Sequence, residues 1–515
     1  MRRHGVLLTS LAIIAGAAMG FVAPATAHAM TPRLITGPYV QGWFGYWEED
    51  APVQALAAQG PGVAPSASIF WAKFTGAQRP LCAYQRSGAC LDDPVNPWIA
   101  PHIDSQRRML QDVGLDVFGT IVDASASMAL SDYLATDANR RAYASEIVEW
   151  ATKAGFDGVD LDWERFAFAD KEPTWATTKP RWIAFVTLLG AKLHARGLKL
   201  SATVPAGMFP FRADGRPNPG TGYWVYAWDR IIDHVDQLRL MAYDYSYATA
   251  GPIGPYPWAQ RVAESAVAQV TTTALANRRK VWLGIPQYSR NWVRQQSDGS
   301  YVTRGDCPAG WEPDAGAAGI PGMLTQPLTR AYEIAEREQL TPTWNSSYGE
   351  YTFRYWIATS GTASGSAVTC EAEREVWFAD TRSARLKAGI VDSQRIGGLA
   401  VWEFGYVLDG FYAQMRREIA PPLTLRATFD SPIRKSSSTK VTGRVLRGDA
   451  RVAGASVQVS WVSASGRTVA LGSTRTNARG DYAIKVSPTR SGSLRVTAAS
   501  EGQRTSVAKP IVVRR

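Results

Sequence analysis

Residues 155–164 read Gly-Phe-Asp-Gly-Val-Asp-Leu-Asp-Trp-Glu. In an extended strand, residues two apart point to the same face. Asp160, Asp162 and Glu164 are therefore expected along one face, with Val159, Leu161 and Trp163 on the other. Three carboxyl groups a few ångströms apart cannot all stay ionised, so at least one pKa must rise. A raised carboxyl pKa is what a general acid needs near neutral pH. The stretch thus reads as a buried strand that carries chemistry.

Working outward, short apolar runs alternate with amphipathic stretches from about residue 34 to 420. The strand candidates are 40–46, 67–73, 116–122, 158–162, 199–204, 237–241, 281–285 and 398–402. Helical patterns separate most of them, the clearest over 138–154 behind a cap at Asp137, with Ile147, Trp150, Ala151 and Ala154 as its apolar stripe. Eight strands alternating with helices predict an α/β fold with a parallel sheet, closed as a (β/α)8 TIM barrel. An open doubly wound sheet is disfavoured, because no Gly-rich phosphate loop follows any strand. The stretch 293–374 is too long for one connection. Its Gly- and Ser-rich turns, a helical segment at 329–338 and a strand at 351–357 predict an α+β insertion before the last barrel strand.

The chain has 515 residues. Its first 29 combine Met-Arg-Arg-His, an apolar run over 6–22 and the small residues Ala25-Thr-Ala-His-Ala29, the layout of a secretory signal peptide. No later run is long and apolar enough for a bilayer span, so a secreted, extracellular product is expected, possibly wall-associated. Four cysteines suit that compartment. Of the three pairings open to Cys82, Cys90, Cys307 and Cys370, Cys82–Cys90 with Cys307–Cys370 is expected. Their spacing matches no zinc pattern. After Pro421-Pro422 the helical periodicity stops and strand-like runs alternate with turns, which predicts an all-β immunoglobulin-like sandwich over 423–515. Residues 421–515 hold 17 Lys plus Arg against 4 Asp plus Glu, a net +13 that leaves −2 on the remainder. The basic segment suggests adhesion to an anionic wall polymer; a soluble basic domain without a specific partner is the other reading. Export argues against nucleic acid as a target.

Asp157-Gly-Val-Asp160-Leu-Asp162-Trp-Glu164 resembles the DxxDxDxE signature of family 18 glycoside hydrolases, the chitinase-like enzymes. Met241-Ala-Tyr243-Asp244 is similar to the family's sixth-strand motif. Leu283-Gly-Ile-Pro286-Gln-Tyr288 resembles its seventh strand, and Gly397-Gly-Leu-Ala-Val-Trp402-Glu403 its eighth. The match runs in order over residues 38–410.

The resemblance implies a secreted retaining hydrolase of β-linked N-acetylglucosamine glycans, acting by substrate assistance rather than through a carboxylate nucleophile. Glu164 is then the general acid, Asp162 holds the substrate's acetamido N–H, Asp160 tunes Asp162, and Tyr243 donates to the acetamido oxygen. Trp402 is the floor under the scissile sugar. Asp244, Met241 and Asp157 are further substrate-binding candidates, with Tyr288 and Trp43 as weaker ones that equally suit barrel packing. No metal or organic cofactor is implied. Typical chitinases carry Ser-x-Gly-Gly on the third strand, where this chain has Gly119-Thr-Ile-Val-Asp123-Ala-Ser-Ala-Ser. That segment, Leu134-Ala-Thr-Asp137 and Val376-Trp377-Phe378-Ala-Asp380 look closer to the spore-cortex and peptidoglycan branch, although wall-binding LysM-like repeats are missing. Two alternatives remain: a catalytically silent carbohydrate-binding relative, disfavoured because Glu164 is present, and an endo-β-N-acetylglucosaminidase acting on N-glycans.

Overall fold

The computed structural model describes residues 39–93, 95–206, 222–419, 423–447, 450–500 and 503–515. The expected signal peptide over 1–29 lies outside the described residues. Eight parallel strands close a barrel. In chain order they include β1 (Tyr39–Phe44), β2 (Ser66–Phe74), β3 (Asp116–Asp123), β4 (Gly158–Asp162), β5 (Lys199–Pro205), β6 (Gln237–Met241) and β7 (Val281–Pro286). An insertion follows, with β8 (Tyr288–Val293), β9 (Leu324–Pro327), β10 (Glu350–Ala363) and β11 (Ser366–Phe378), before the eighth barrel strand, β12 (Gly398–Trp402). Each barrel strand pairs in parallel with the next, and β12 pairs with both β7 and β1 to close the ring. Among the described residues no helix is long and apolar enough to cross a membrane.

The helices that cover the barrel follow from ordinary signals. Helix Asp137–Ala154 starts one residue earlier than its apolar stripe suggests, because Thr136 and not Asp137 is the cap. The Thr136 hydroxyl accepts from the Asn139 N–H at 3.2 Å. Gly155 ends the helix at φ +76°, a conformation that glycine adopts without a Cβ penalty. Trp163 fills the seam between this helix and Glu172–His194. Its ring stacks on Tyr143 at 6.1 Å and meets Trp182 edge-on at 5.6 Å. Val159 and Leu161 are fully buried with it, so the apolar face of β4 packs outward on helices and its acidic face points into the barrel.

The insertion is a mainly antiparallel sheet in which β10 pairs β11, β11 pairs β8 and β8 pairs β9. It begins at Tyr288, upstream of the expected start at residue 293. Helix Leu328–Arg337 covers one face, burying Leu328, Ala331 and Ile334 against Phe353, Tyr355 and Val376. A buried Lys387–Glu350 pair, 3.8 Å apart, ties β10 to the barrel helix Thr381–Gln394. Glu350 also accepts the backbone N–H groups of Ile253 and Gly254, each at 2.7 Å. Both expected disulfides form, Cys82–Cys90 and Cys307–Cys370.

From Leu423 onward the described residues form strands and turns, compatible with the expected all-β part. Ser456–Val462 pairs with both Thr468–Arg475 and Gly492–Ser500, and Gln503–Ile511 extends that sheet. Thr439–Arg447 joins Leu423–Thr428 to Asp481–Val486 in another. Val441, Val445, Val457, Val459 and Val496 share one core.

Candidate active site

At the C-terminal ends of the barrel strands the predicted residues converge. Asp160 is fully buried in the lumen. It accepts from the Trp43 indole N–H at 2.9 Å, from the Thr120 and Thr203 hydroxyls at 3.1 and 2.8 Å, and from Arg239 Nη1 at 3.2 Å. Thr120 and Thr203 belong to the strands flanking β4, and Arg239 to β6. The cation is fully buried too, held by Ser68 at 2.5 Å and by the Gln237 side chain at 2.6 Å. Four donors on one carboxylate, one of them charged, fix its position and match its charge.

Asp162 sits at the end of β4, and its Oδ1 has no hydrogen-bond partner although it is buried. Desolvation, then the charges of Glu164 and Asp160, push its pKa well above the usual carboxylate range, and Arg239 opposes them. Glu164 does not continue the strand. β4 ends at Asp162, and Glu164 has helical backbone angles, φ −74° and ψ −20°, as the residue before the short helix Arg165–Phe168. The expectation of three acids on one strand face is corrected to two on the strand and one on the turn above it. A strand continued to Glu164 would keep its side chain in the pleat, whereas the turn lifts the carboxyl to the mouth, where it is partly exposed. Desolvation and the Asp244 carboxylate raise it to about 7.

Tyr243 follows β6 and is half-buried, its ring edge-on to Tyr288 at 6.4 Å. Burial and the neighbouring Asp162 charge raise its phenol well above 10, so it stays a hydrogen-bond donor. Gly284 on β7 makes room for it: a Cβ there would lie 2.9 Å from the Tyr243 ring and 2.3 Å from the Leu240 carbonyl. Asp244 has φ +59°, a region that aspartate tolerates better than most residues. Its carboxylate takes the Tyr288 hydroxyl and Arg290 Nη2, the latter at 2.6 Å. Trp402 ends β12 with its ring part-exposed, 4.8 Å from Phe70 and 6.0 Å from Trp43. It packs with Tyr243, Tyr288, Trp292 and Trp377 in one aromatic cluster.

Two candidates fall elsewhere. Asp157 is three residues before Asp160, hence on the opposite strand face, and it precedes the start of β4. It accepts from the Val117 N–H at 2.8 Å and Gln111 Nε2 at 2.7 Å, and so clamps the closed end of the barrel. Trp43 has no exposed surface; it supports Asp160 from below and does not face a ligand. Tyr288 is 2 % exposed, and its hydroxyl donates to the Asp244 carboxylate. Met241 is nearly buried at the end of β6.

Sequence reading missed Arg239, although its signal was visible: Gln237-Leu-Arg-Leu-Met241 alternates polar and apolar residues, which aims Gln237 and Arg239 into the lumen. It also missed Glu403, which is fully buried opposite Glu48 and raised to about 8, first by burial and then by the Glu48 charge.

The profile of glycosyl hydrolases family 18 matches residues 102–406. The chain belongs to this family. Among curated relatives it is similar to the putative sporulation-specific glycosylase YdhD of Bacillus subtilis, 26% identical over 263 residues that cover 50% of this chain and 49% of that one. It also resembles chitotriosidase-1 of Mus musculus, 25% identical over 351 residues covering 63% and 64% of the two chains. The chain thus spans about half to two-thirds of the length of these relatives. Among solved structures, a chitinase from Chromobacterium violaceum superposes with a TM-score of 0.53 at 20% identity, covering 74% of this chain and 98% of that one. The spore cortex-lytic enzyme SleL of Bacillus megaterium gives 0.52 at 15% identity, covering 76% and 75%. These likenesses establish the barrel fold, and the family match places residues 102–406 in glycosyl hydrolases family 18.

Proposed function

We propose that this family 18 hydrolase cleaves β-linked N-acetylglucosamine glycans, chitin-like or bacterial wall glycan, with the substrate's own acetamido group as nucleophile. One observation carries the reading: a carboxyl raised to about 7 at Glu164 stands beside an unpartnered buried Asp162 Oδ1, next to the Tyr243 phenol. Asp160 is enclosed by four donors and Asp244 is paired with Arg290, so Asp162 is the carboxylate left free beside Glu164. Membership of a substrate-assisted family favours it as the holder of the acetamido N–H over the nucleophile of a conventional retaining pair.

Glu164 gives its proton to the glycosidic oxygen as the C1–O bond breaks. The acetamido carbonyl oxygen bonds to C1 and forms an oxazolinium ion. Asp162 Oδ1 accepts the acetamido N–H, and its charge offsets the positive charge that develops there. The Tyr243 hydroxyl donates to the acetamido oxygen and orients it. Water then attacks C1, Glu164 takes the water's proton, and two inversions give net retention. Trp402 offers the flat apolar surface on which the sugar ring rests.

The names of the relatives favour two substrate classes, chitin and spore or wall glycan. The N-terminal 29 residues fit export, and the basic segment 421–515 fits retention on an anionic wall polymer; removing that segment should lower wall binding in a salt-sensitive way while sparing cleavage of soluble oligosaccharides. The central test compares chitin oligomers, purified peptidoglycan and a high-mannose glycopeptide as substrates, with and without a thiazoline analogue of N-acetylglucosamine. Cleavage of an acetamido glycan blocked by the thiazoline supports the reading. Cleavage indifferent to it overturns acetamido participation.

A further inference from the structure

Outside the catalytic trio the cavity that stands out is on the insertion. It measures about 560 Å³ and is lined by Trp292, Arg294, Gln296, Tyr301, Arg354 and Glu375 among others. That volume lies in the range of small-ligand sites. Strand register explains why these side chains share a wall. Arg354 on β10 lies opposite Glu375 on β11, and Glu375 lies opposite Trp292 on β8. Directly paired residues project to the same side of a sheet, as do residues two apart on one strand. Arg290, Trp292 and Arg294 therefore form one row, Glu373, Glu375 and Trp377 a second, and Arg354 with Trp356 a third. This is the face opposite to the one covered by helix Leu328–Arg337. It begins at the catalytic mouth, where Arg290 holds Asp244. Trp292 donates its indole N–H to the Tyr247 carbonyl at 2.9 Å, which seats the wall against the loop that follows β6. Arg294 lies four residues beyond Arg290, about 13 Å along the strand.

The polar groups here are arranged unequally. Glu375 has both oxygens occupied, one by Arg354 Nε at 2.9 Å and the other by the Trp377 indole at 2.7 Å. Glu373 takes Arg294 through Nε. Each arginine engages its glutamate through Nε, and among the described residues its terminal Nη groups make no side-chain or backbone hydrogen bond. The side chains of Arg294 and Arg354 are 30% and 54% exposed. Open guanidinium edges beside a fully occupied Glu375 form a receptor for an anion, and planar Nη pairs match a carboxylate. The neighbouring Gln295 and Gln296 can donate to and accept from amides. Trp292 is 2 % exposed and gives a sugar no stacking platform; Tyr301 is the partly exposed ring of this lining, and the charged groups set the character of the site.

We propose that this cavity is a distal subsite for a carboxylate-bearing substituent of the glycan, read by Arg294 and Arg354. The inference rests on the proposed action on acetamido glycans and adds a preference for chains with acidic branches. The source of the carboxylate is either a peptide carried on the sugar or an acid group attached to the sugar itself.

Binding is measured on the full chain carrying Glu164→Gln, so that no probe is consumed. Three probes are used: a peptide-bearing disaccharide of bacterial wall glycan, the same disaccharide with the peptide removed and its sugar-borne carboxyl kept, and the peptide-bearing form with every carboxyl amidated. The peptide-bearing probe should bind about tenfold more tightly than the amidated one, with a gap that narrows as salt is added. Adding Arg294→Gln and Arg354→Gln should close the gap, with unchanged thermal unfolding as the check on folding. Removing the peptide frees the sugar-borne carboxyl from its amide link: a peptide-free probe that binds as tightly as the peptide-bearing one shows that the sugar's own acid suffices, and one that binds no better than the amidated probe shows that the peptide carboxyls are the groups read. Equal affinity for charged and amidated probes overturns the inference, as does a preference that survives the double substitution. Should the double variant unfold, the comparison of charged and amidated probes and its salt dependence still decide. Hydrolysis of neutral chitin oligomers and of purified peptidoglycan by the unsubstituted chain is assayed separately: hydrolysis of either without charge preference in binding sinks this subsite alone, and charge preference without hydrolysis of any of them sinks the catalytic reading alone.

Discussion

Replacing Glu164 by Gln removes an acid and also a charge that the fold holds at a disadvantage. Burial first, and the Asp244 carboxylate second, raise Glu164 from 4.5 to about 7. At about 1.4 kcal/mol per pKa unit the interval corresponds to roughly 3 kcal/mol. Between pH 4.5 and about 7 the unfolded chain releases this proton while the folded chain keeps it. The unfolded state binds fewer protons in that window, so the contribution of Glu164 to stability falls as pH rises and reaches its full loss above about 7. Glutamine does not titrate. Glu164→Gln should therefore match the parent near pH 4 and exceed it by up to roughly 3 kcal/mol near pH 8, while hydrolysis drops about 10²–10⁴-fold. Urea unfolding followed by tryptophan fluorescence at the two pH values gives the difference directly. A stability difference that is the same at both, or a variant less stable than the parent near pH 8, would refute the electrostatic account of the site.

Because Glu164 must be protonated to begin the reaction, kcat/KM should fall as pH rises through about 7, and Asp244→Asn, which removes a like charge, should move that falling limb to lower pH; a limb that stays in place contradicts the assignment. Trp43→Phe deletes one of the four donors to Asp160 and should lower kcat about tenfold, the loss expected for a hydrogen bond to a charged group, with KM nearly unchanged in steady-state kinetics. Lys387→Met leaves Glu350 buried without its cation and should destabilise the protein by about 3–5 kcal/mol, whereas changing both residues to apolar ones should restore most of the loss, as read from urea midpoints. Cys307 and Cys370 are 63 residues apart and Cys82 and Cys90 only 8, so serine substitution of the first pair should be the more damaging in thermal melts, about 4 against about 2.5 kcal/mol on loop entropy.

The barrel was legible because its signal is local. Each strand buries on both sides, so an apolar run of five to eight residues betrays it, and the helices between carry a stripe that no strand could satisfy. The acidic stretch was legible for the opposite reason: Asp160 and Asp162 are misfits in such a run and demand explanation. Where reading went astray, the deciding contact was made by a distant element. Trp43 and Asp160 are 117 residues apart and meet in the lumen, so nothing near Trp43 marks it as a support rather than a sugar platform. Glu164 leaves the strand because the following residues start a helical turn, which an i, i+2, i+4 spacing does not report. Asp157 is a different failure, since parity alone separates it from Asp160. The insertion starts at Tyr288 rather than at residue 293 because barrel strand β7 and insertion strand β8 are separated by Gln287 alone, and no turn signal divides them.

The lumen also explains how such an acidic layer persists in a closed barrel. Desolvating one carboxylate is expensive, and three together are prohibitive unless charge is matched or removed. Arg239 supplies matching charge, but it spends its guanidinium on Asp160, Ser68 and Gln237, and the Thr120 and Thr203 hydroxyls converge on the same aspartate. Asp162, one pleat higher, receives only the weaker distant pull of that cation and no donor at Oδ1. Glu164 feels no such pull from the cation and stands beside a second acid, Asp244. The three carboxyls therefore form a gradient from fully matched at the bottom to unmatched at the mouth. Such a gradient sets a proton donor raised to about 7 where a leaving group arrives, and leaves a bare acceptor at Asp162 Oδ1 one step below it, where an amide N–H can replace the donor that the protein withholds. An acid layer buffered uniformly by several arginines would be more stable and would have neither property.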